Sequence, residues 1–187
     1  MKRFGIVLAL VLAGMLLLPA MASASSTDNT YQFHIEVPNV SRDSHGDSVA
    51  VTGMGRFTEH QKAMTGGGTF THTFAGGGSI TGTWMATELL EFQPYGCGIV
   101  HNFPTPGATT PLPPNACGGA MKARVTLTAT VMGRTLTRDG ILTMFCIVGP
   151  NPPNSHDDPS GEGIHLLVPG ITNFNKIVAG MNVFIRE

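Results

Sequence analysis

Ala123-Arg124-Val125-Thr126-Leu127-Thr128-Ala129-Thr130-Val131 alternates strictly between two kinds of side chain. Successive side chains of an extended chain point to opposite faces. Ala123, Val125, Leu127, Ala129 and Val131 therefore share one face, and Arg124 and three threonines share the other. The β-branched content suits a strand with one side turned to a core.

The same period of two recurs in both directions along the chain. Tyr31, Phe33, Ile35 and Val37 oppose Gln32, His34 and Glu36, and Val49, Val51 and Phe57 oppose Thr52, Arg56 and Thr58. Near the C-terminus Ile177, Ala179, Met181, Val183 and Ile185 fall on one face, taken as the buried one. Met64–Ala75, Ser79–Phe92, Thr135–Val148 and Gly163–Val168 are further extended segments, making about eight strands. Met85–Phe92 is the best helical candidate, but it continues Gly82-Thr83-Trp84 and reads as part of one long, bent strand.

Glycine and proline punctuate these runs. Gly66-Gly67-Gly68, Gly76-Gly77-Gly78 and Met132-Gly133 read as turns or bulges. Leu136 and Ile141 lie on opposite parities around Asp139-Gly140, which predicts a bulge there. Ten of the 13 prolines fall in Pro94–Pro114 and Pro150–Pro159, two loops longer than hairpin connections. The pattern predicts one all-β domain over residues 25–187. Its antiparallel strands form either a single barrel, closed or partly open, or a two-sheet sandwich.

Residues 1–24 read as a secretory signal peptide. Lys2 and Arg3 precede an uncharged stretch from Phe4 to Leu18, and Ala22-Ser23-Ala24 supplies a small-residue cleavage site. That stretch is shorter than the ~18 residues of a membrane-spanning helix, and no second one follows, so the mature chain carries no membrane span. The expected location is secreted or periplasmic after cleavage near Ala24. The 187-residue chain is only 12% charged. Its 11 basic residues less Lys2 and Arg3 leave nine against 12 acidic ones. A mildly acidic chain without a basic cluster excludes nucleic acid as a partner.

Three cysteines in an oxidising space permit one bridge. Cys97 and Cys117 bracket the first proline-rich loop and are the favoured pair, and a bridge from Cys146 to either of them is the alternative. Cys146, within Met144-Phe145-Cys146-Ile147-Val148, reads as a buried thiol. With no CxxC pattern, no structural metal site is expected.

Thr52-Gly53-Met54-Gly55-Arg56-Phe57, Thr65-Gly66-Gly67-Gly68-Thr69-Phe70-Thr71-His72, the run from Gly82 to Phe92 and Tyr95-Gly96 together resemble an uncharacterised family of exported microbial β-rich proteins. Cys146 to Pro153, Glu162-Gly163-Ile164 and Asn173-Phe174-Asn175 extend the resemblance over residues 48–185. It implies fold and export and carries no activity or site residue.

His72 shares a strand face with Phe70 and Phe74, and these residues with Trp84 are the candidate ligand pocket. Glu88 shares the parity of Trp84, and His165 is flanked by apolar residues. His72, Glu88 and His165 are the candidate catalytic groups if all three face one lumen. For each, a bland alternative stands beside the functional one: a core histidine, or a bulge that turns Glu88 outward. His156, Asp157, Asp158 and Glu162 form an acidic stretch without calcium-loop spacing and read as a solvated turn. Asn39-Val40-Ser41 matches a glycosylation acceptor. No GxSxG, P-loop or HExxH pattern occurs, and no cofactor is expected. The sequence thus favours an exported non-enzymatic module for a small apolar ligand or an extracellular partner. A lyase, isomerase or hydrolase with a His/Glu pocket and a structural envelope protein are the alternatives.

Overall fold

The computed structural model describes residues 28–150, 152 and 161–187. The leader and His156, Asp157 and Asp158 lie outside the described residues. The described chain is all-β, with twelve strands rather than about eight: β1 (Thr30–Arg42), β2 (Ser48–Thr58), β3 (Met64–Thr73), β4 (Ser79–Cys97), β5 (Ile99–His101), β6 (Thr109–Pro111), β7 (Ala116–Val131), β8 (Arg134–Cys146), β9 (Gly163–Val168), β10 (Thr172–Phe174), β11 (Lys176–Ala179) and β12 (Asn182–Arg186). β5 and β6 pair only with each other, inside the first proline-rich loop.

The remaining strands form one large antiparallel sheet in the order β10-β9-β8-β7-β12-β1-β2-β3-β4, with β11 beside β1. β4 also pairs with β7. The sheet is therefore ringed over part of its length without becoming a barrel. At the lower end β12 bridges β1 to β7 through Phe184↔Cys117 and Ile185↔Ala116. Above that point β7 pairs with β8 instead, and β8 leads out to β9 and β10. The ring divides there, and its upper end stays open.

The inward rows match the alternation along β2 and β7 and along β1 as far as Ile35; a register shift between Ile35 and Asn39 leaves Val37, expected inside, exposed. Phe33, Val49, Val51, Phe57, Ala123 and Val125 are almost wholly buried. The lower core is aromatic: Phe92 packs against Tyr31, Phe57 and Phe184 at centroid distances of 4.9, 4.8 and 5.2 Å. At the C-terminus the parity is the reverse of that expected. Phe184 and Asn182 are buried, while Met181 is half exposed and Val183 and Ile185 are only partly covered.

The glycine triplets have unlike roles. Gly76-Gly77-Gly78 lies in the β3–β4 turn, with φ of 97° at Gly77 and 87° at Gly78. Met132-Gly133, with φ of 50° and 74°, makes a two-residue turn of the kind that matches strand twist. Gly66-Gly67-Gly68 is no turn: it runs inside β3 opposite Gly55, Met54 and Gly53 of β2. Phe33 and Trp84 lie flat on this bare backbone, stacked at 6.4 Å. A Cβ on Gly55 would come within 2.5 Å of the Phe33 ring, and one on Gly53 within 2.5 Å of Trp84. The bulge expected at Asp139-Gly140 is also absent, since β7 and β8 pair in continuous register from Val131↔Arg134 to Gly119↔Cys146. β4 does bend, with register shifts at Ala86/Glu88, Leu89/Glu91 and Pro94/Gly96.

Where the ring divides, a polar cluster fills the core. Asn182 Nδ2 lies 3.0 Å from Asn39 Oδ1, 2.9 Å from Phe145 O and 3.0 Å from Gly163 O. Ser41 Oγ donates to Ile164 O, linking β1 to β9. Asn39 is fully buried, so Asn39-Val40-Ser41 offers no accessible glycosylation site in the folded chain. Glu162 accepts the Asn182 N–H at 2.6 Å. It is not part of a solvated turn: burial pushes its carboxyl up to about 7.

Cys97 and Cys117 face each other across β4 and β7 and form the disulfide, leaving Cys146 as a buried thiol. Burial also pushes the Cys146 thiol above its ordinary range, so it is inert as a nucleophile. The bridge closes a sequence separation of 20 residues. Replacing both cysteines by alanine is expected to lower the unfolding free energy by about 3 kcal/mol. Urea denaturation of the double variant checks this, and an unchanged midpoint contradicts it.

Candidate functional site

The open upper end of the sheet holds an apolar cavity of about 250 Å³. One wall is β3 and its turn, with Phe70, His72 and Phe74. Val49 and Ile80 are the cross-strand partners of His72 and belong to the same lining. The facing wall is the β7–β8 hairpin, where Leu127 pairs with Arg138 and Ala129 with Leu136. Leu166 and Val168 of β9 and Thr172 and Phe174 of β10 complete it. Phe70 owes its position to Gly82 opposite, where a Cβ would sit 2.7 Å from the ring.

The cavity has a solid floor. Val51, Phe70, Trp84, Val125, Leu127, Leu142 and Leu166 pack beneath it with no room for a water molecule. The space is thus a mouth above a filled core and not a lumen running the length of the sheet.

Only His72, Arg138 and Thr172 bring polar groups to the lining, and two of them are tied back into the wall. Thr172 Oγ1 donates to Asp43 at 2.7 Å. Asp43 also accepts the amides of His45 and Asp47 at 2.9 and 3.0 Å, which shapes the β1–β2 turn. These bonds, that of Thr172 first, hold the Asp43 carboxyl below its usual range. Asp47 accepts the Ala75 amide and the His72 ring, each at 2.9 Å, and is likewise held low. An ionised carboxylate only accepts, so Nε2 of His72 carries the hydrogen in this pair. The His72 ring packs against Phe74 at 4.4 Å and meets Phe174 edge-on at 5.1 Å. Arg138 donates to Thr137 O at 2.9 Å and forms no ion pair among the described residues.

Phe70, His72 and Phe74 line the cavity together. Trp84 does not; it belongs to the floor, with its Nε1–H on Thr52 O at 2.9 Å. The grouping of His72, Glu88 and His165 does not form. Two residues, Thr87 and Glu88, stand against one in β7 at the Ala86/Glu88 shift, and this turns Glu88 to the outer face. There it pairs with Lys62 at 3.2 Å and Arg124 at 3.3 Å, Lys62 first among the causes that hold its carboxyl low. His165 sits on the face of β9 away from Leu166 and Val168, against Phe145 at 5.0 Å. Among the described residues no group of three or more His, Cys, Asp or Glu is placed to hold a metal. No helix there is long and apolar enough to cross a membrane.

Two groups at the site were not singled out from the sequence. Asp47 sits in a turn, where periodicity carries no signal. Arg138 shares the parity of Leu136 and Leu142 once β8 is read without a bulge, and a charge on an apolar row is the mark that would have flagged it. No family model, curated protein or solved structure matches the chain.

Proposed function

We propose that this protein is an exported module that takes a small apolar ligand into the cavity at the open end of its sheet. The carrying observation is the cavity itself: apolar walls, a solid floor, and few polar groups, two of the three tied back into the wall, the usual make-up of a small-molecule site. A purely structural protein gains nothing from an unfilled core end, since voids cost stability. Export rests on the leader at residues 1–24, and a disulfide suits an oxidising compartment.

An apolar cavity of ~150 Å³ admits benzene, so the present one accepts on the order of ten non-hydrogen atoms. The test is thermal unfolding with a panel of aliphatic and aromatic compounds of that size, on the wild type and on Ala129→Phe, which fills the space. A true ligand at 100 times its dissociation constant adds about 2.7 kcal/mol. For a domain of this size that raises the melting temperature by ~5–10 °C. Ala129→Phe should fold and lose the shift. A panel without effect on the wild type, or an equal shift in the variant, overturns the proposal.

The Asp47–His72 pair favours a second use of the same cavity. A histidine oriented by a carboxylate is the usual form of a proton-transfer group, and Nδ1 of His72 has no hydrogen bond among the described residues. In that case the bound compound is chemically changed, and His72→Gln stops the change while keeping the thermal shift. Recovery of unaltered compound from the wild type, checked by mass spectrometry, removes this second use.

A further inference from the structure

We infer that the ligand is an anionic amphiphile, its charged head paired with Arg138 at the mouth and its hydrocarbon part in the cavity. This rests on the cavity being a ligand site and adds the class of ligand.

The argument starts from the inward row of β8. Leu136, Arg138, Gly140, Leu142 and Met144 share one face, and Leu142 and Met144 are core residues. Arg138 therefore lies on the apolar row where it runs out to the exposed end of the hairpin, beside the half-exposed Leu136 and directly opposite the buried Leu127. A guanidinium carries five N–H donors in a fixed fork suited to a carboxylate or phosphate. Here it uses one of them on the carbonyl of its own neighbour, Thr137. Of the other cations, Arg56 meets Glu187, Lys62 and Arg124 share Glu88, and Lys122 meets Glu91, while Arg42, Arg134, Lys176 and Arg186 form no ion pair among the described residues. What sets Arg138 apart is its place on the cavity lining.

The two carboxylates bonded to the cavity lining do not serve Arg138. Asp43 accepts from Thr172 and two amides, Asp47 accepts from His72 and an amide, and neither forms an ion pair with Arg138. The alternative role for Arg138 is to lay its aliphatic stem over the cavity rim with the charge in water. That role needs no anion and is separable by experiment.

Octanoate has ten non-hydrogen atoms and 1-octanol shares its chain without the charge. Isothermal titration of both at pH 8 and low salt, on the wild type, Arg138→Lys and Arg138→Met, tests the inference. Wild type is expected to bind octanoate at least tenfold more tightly than 1-octanol, and added salt should weaken only octanoate. Arg138→Lys should keep a reduced preference. Arg138→Met, which retains an apolar stem, should bind the two equally and hold 1-octanol as the wild type does. Equal affinities in the wild type, or a preference that survives in Arg138→Met, overturns the head-group assignment and leaves the cavity standing as an apolar site. Failure of both compounds to bind overturns both.

Discussion

Gly68→Ala is expected to cost at least ~3 kcal/mol, while Gly76→Ala is expected to cost nothing. The two residues stand in identical triplets eight positions apart, and the difference lies wholly in what surrounds them. A Cβ on Gly68 would lie 1.9 Å from the carbonyl oxygen of Thr52 and 2.6 Å from the Gly53 Cα, both backbone atoms of the paired strand. No rotamer change relieves a clash with backbone, so β2 and β3 must part and the ladder between Gly53 and Gly68 must stretch. Phe33 and Trp84, which lie on that ladder, would lose their seat. Overpacking a tight core costs typically ~1–3 kcal/mol, and broken ladder bonds add to it. Against a total of ~5–15 kcal/mol, that is a large share of the stability. Gly76 has open space around its Cα and no positive φ. Alanine there restricts the unfolded chain and stabilises by ~0.4–1 kcal/mol. Urea denaturation of both variants checks the pair. A Gly68→Ala protein as stable as the wild type would show that the strands are not packed this closely.

The same contrast shows what a sequence can disclose. Alternation is local, so Tyr31, Phe33 and Ile35, or Ala123, Val125 and Leu127, reveal their buried face without any knowledge of their neighbours. The ring, by contrast, depends on β4 meeting β7 and β12 bridging β1 to β7, pairings between segments far apart in the chain. Parity also survives only until the next bulge. The extra residue at Thr87 moved Glu88 outside, and a bulge assumed at Asp139-Gly140 concealed Arg138. At β12 the apolar Val183 and Ile185 outweigh Asn182 by composition, yet Asn182 is the buried one, because it caps a polar cluster drawn from four strands and a loop. Of the candidate site, the aromatic wall around His72 was therefore legible. Its partner Asp47 and the opposing Arg138 needed the assembled sheet.

That cluster carries the second large effect: Glu162→Gln is expected to stabilise the protein by about 3 kcal/mol at pH 8 and to change little at pH 4. Glu162 is buried where the ring divides, and burial pushes its carboxyl from 4.5 to about 7. The bonds it accepts from the amides of Asn182 and Ile147 pull the other way without winning. Donor counting gives the same direction. Asn182 Nδ2 is shared among three acceptors and Asn182 Oδ1 has no donor at all, so the cluster is short of hydrogens and a protonated carboxyl supplies one. A folded value above the unfolded one means that the folded state holds its proton more tightly. The resulting stability is complete below pH 4.5 and is lost as pH rises through 7, at about 1.4 kcal/mol for each pH unit of displacement. Asp43, Asp47, Glu88 and Glu187 act in the opposite sense, because their folded values are lowered and their contribution is lost only in acid. The two windows do not overlap, so the difference between wild type and Glu162→Gln isolates the buried group. Glutamine keeps an oxygen for the Asn182 amide and brings two donors into a cluster that lacks them, and it never ionises. Urea denaturation of both proteins between pH 4 and pH 8 should give a difference that grows from near zero to its full value across pH 4.5–7. A constant difference would show that Glu162 stays ionised in the fold, and a variant weaker than the wild type at pH 8 would show that the charge itself holds the dividing ring together.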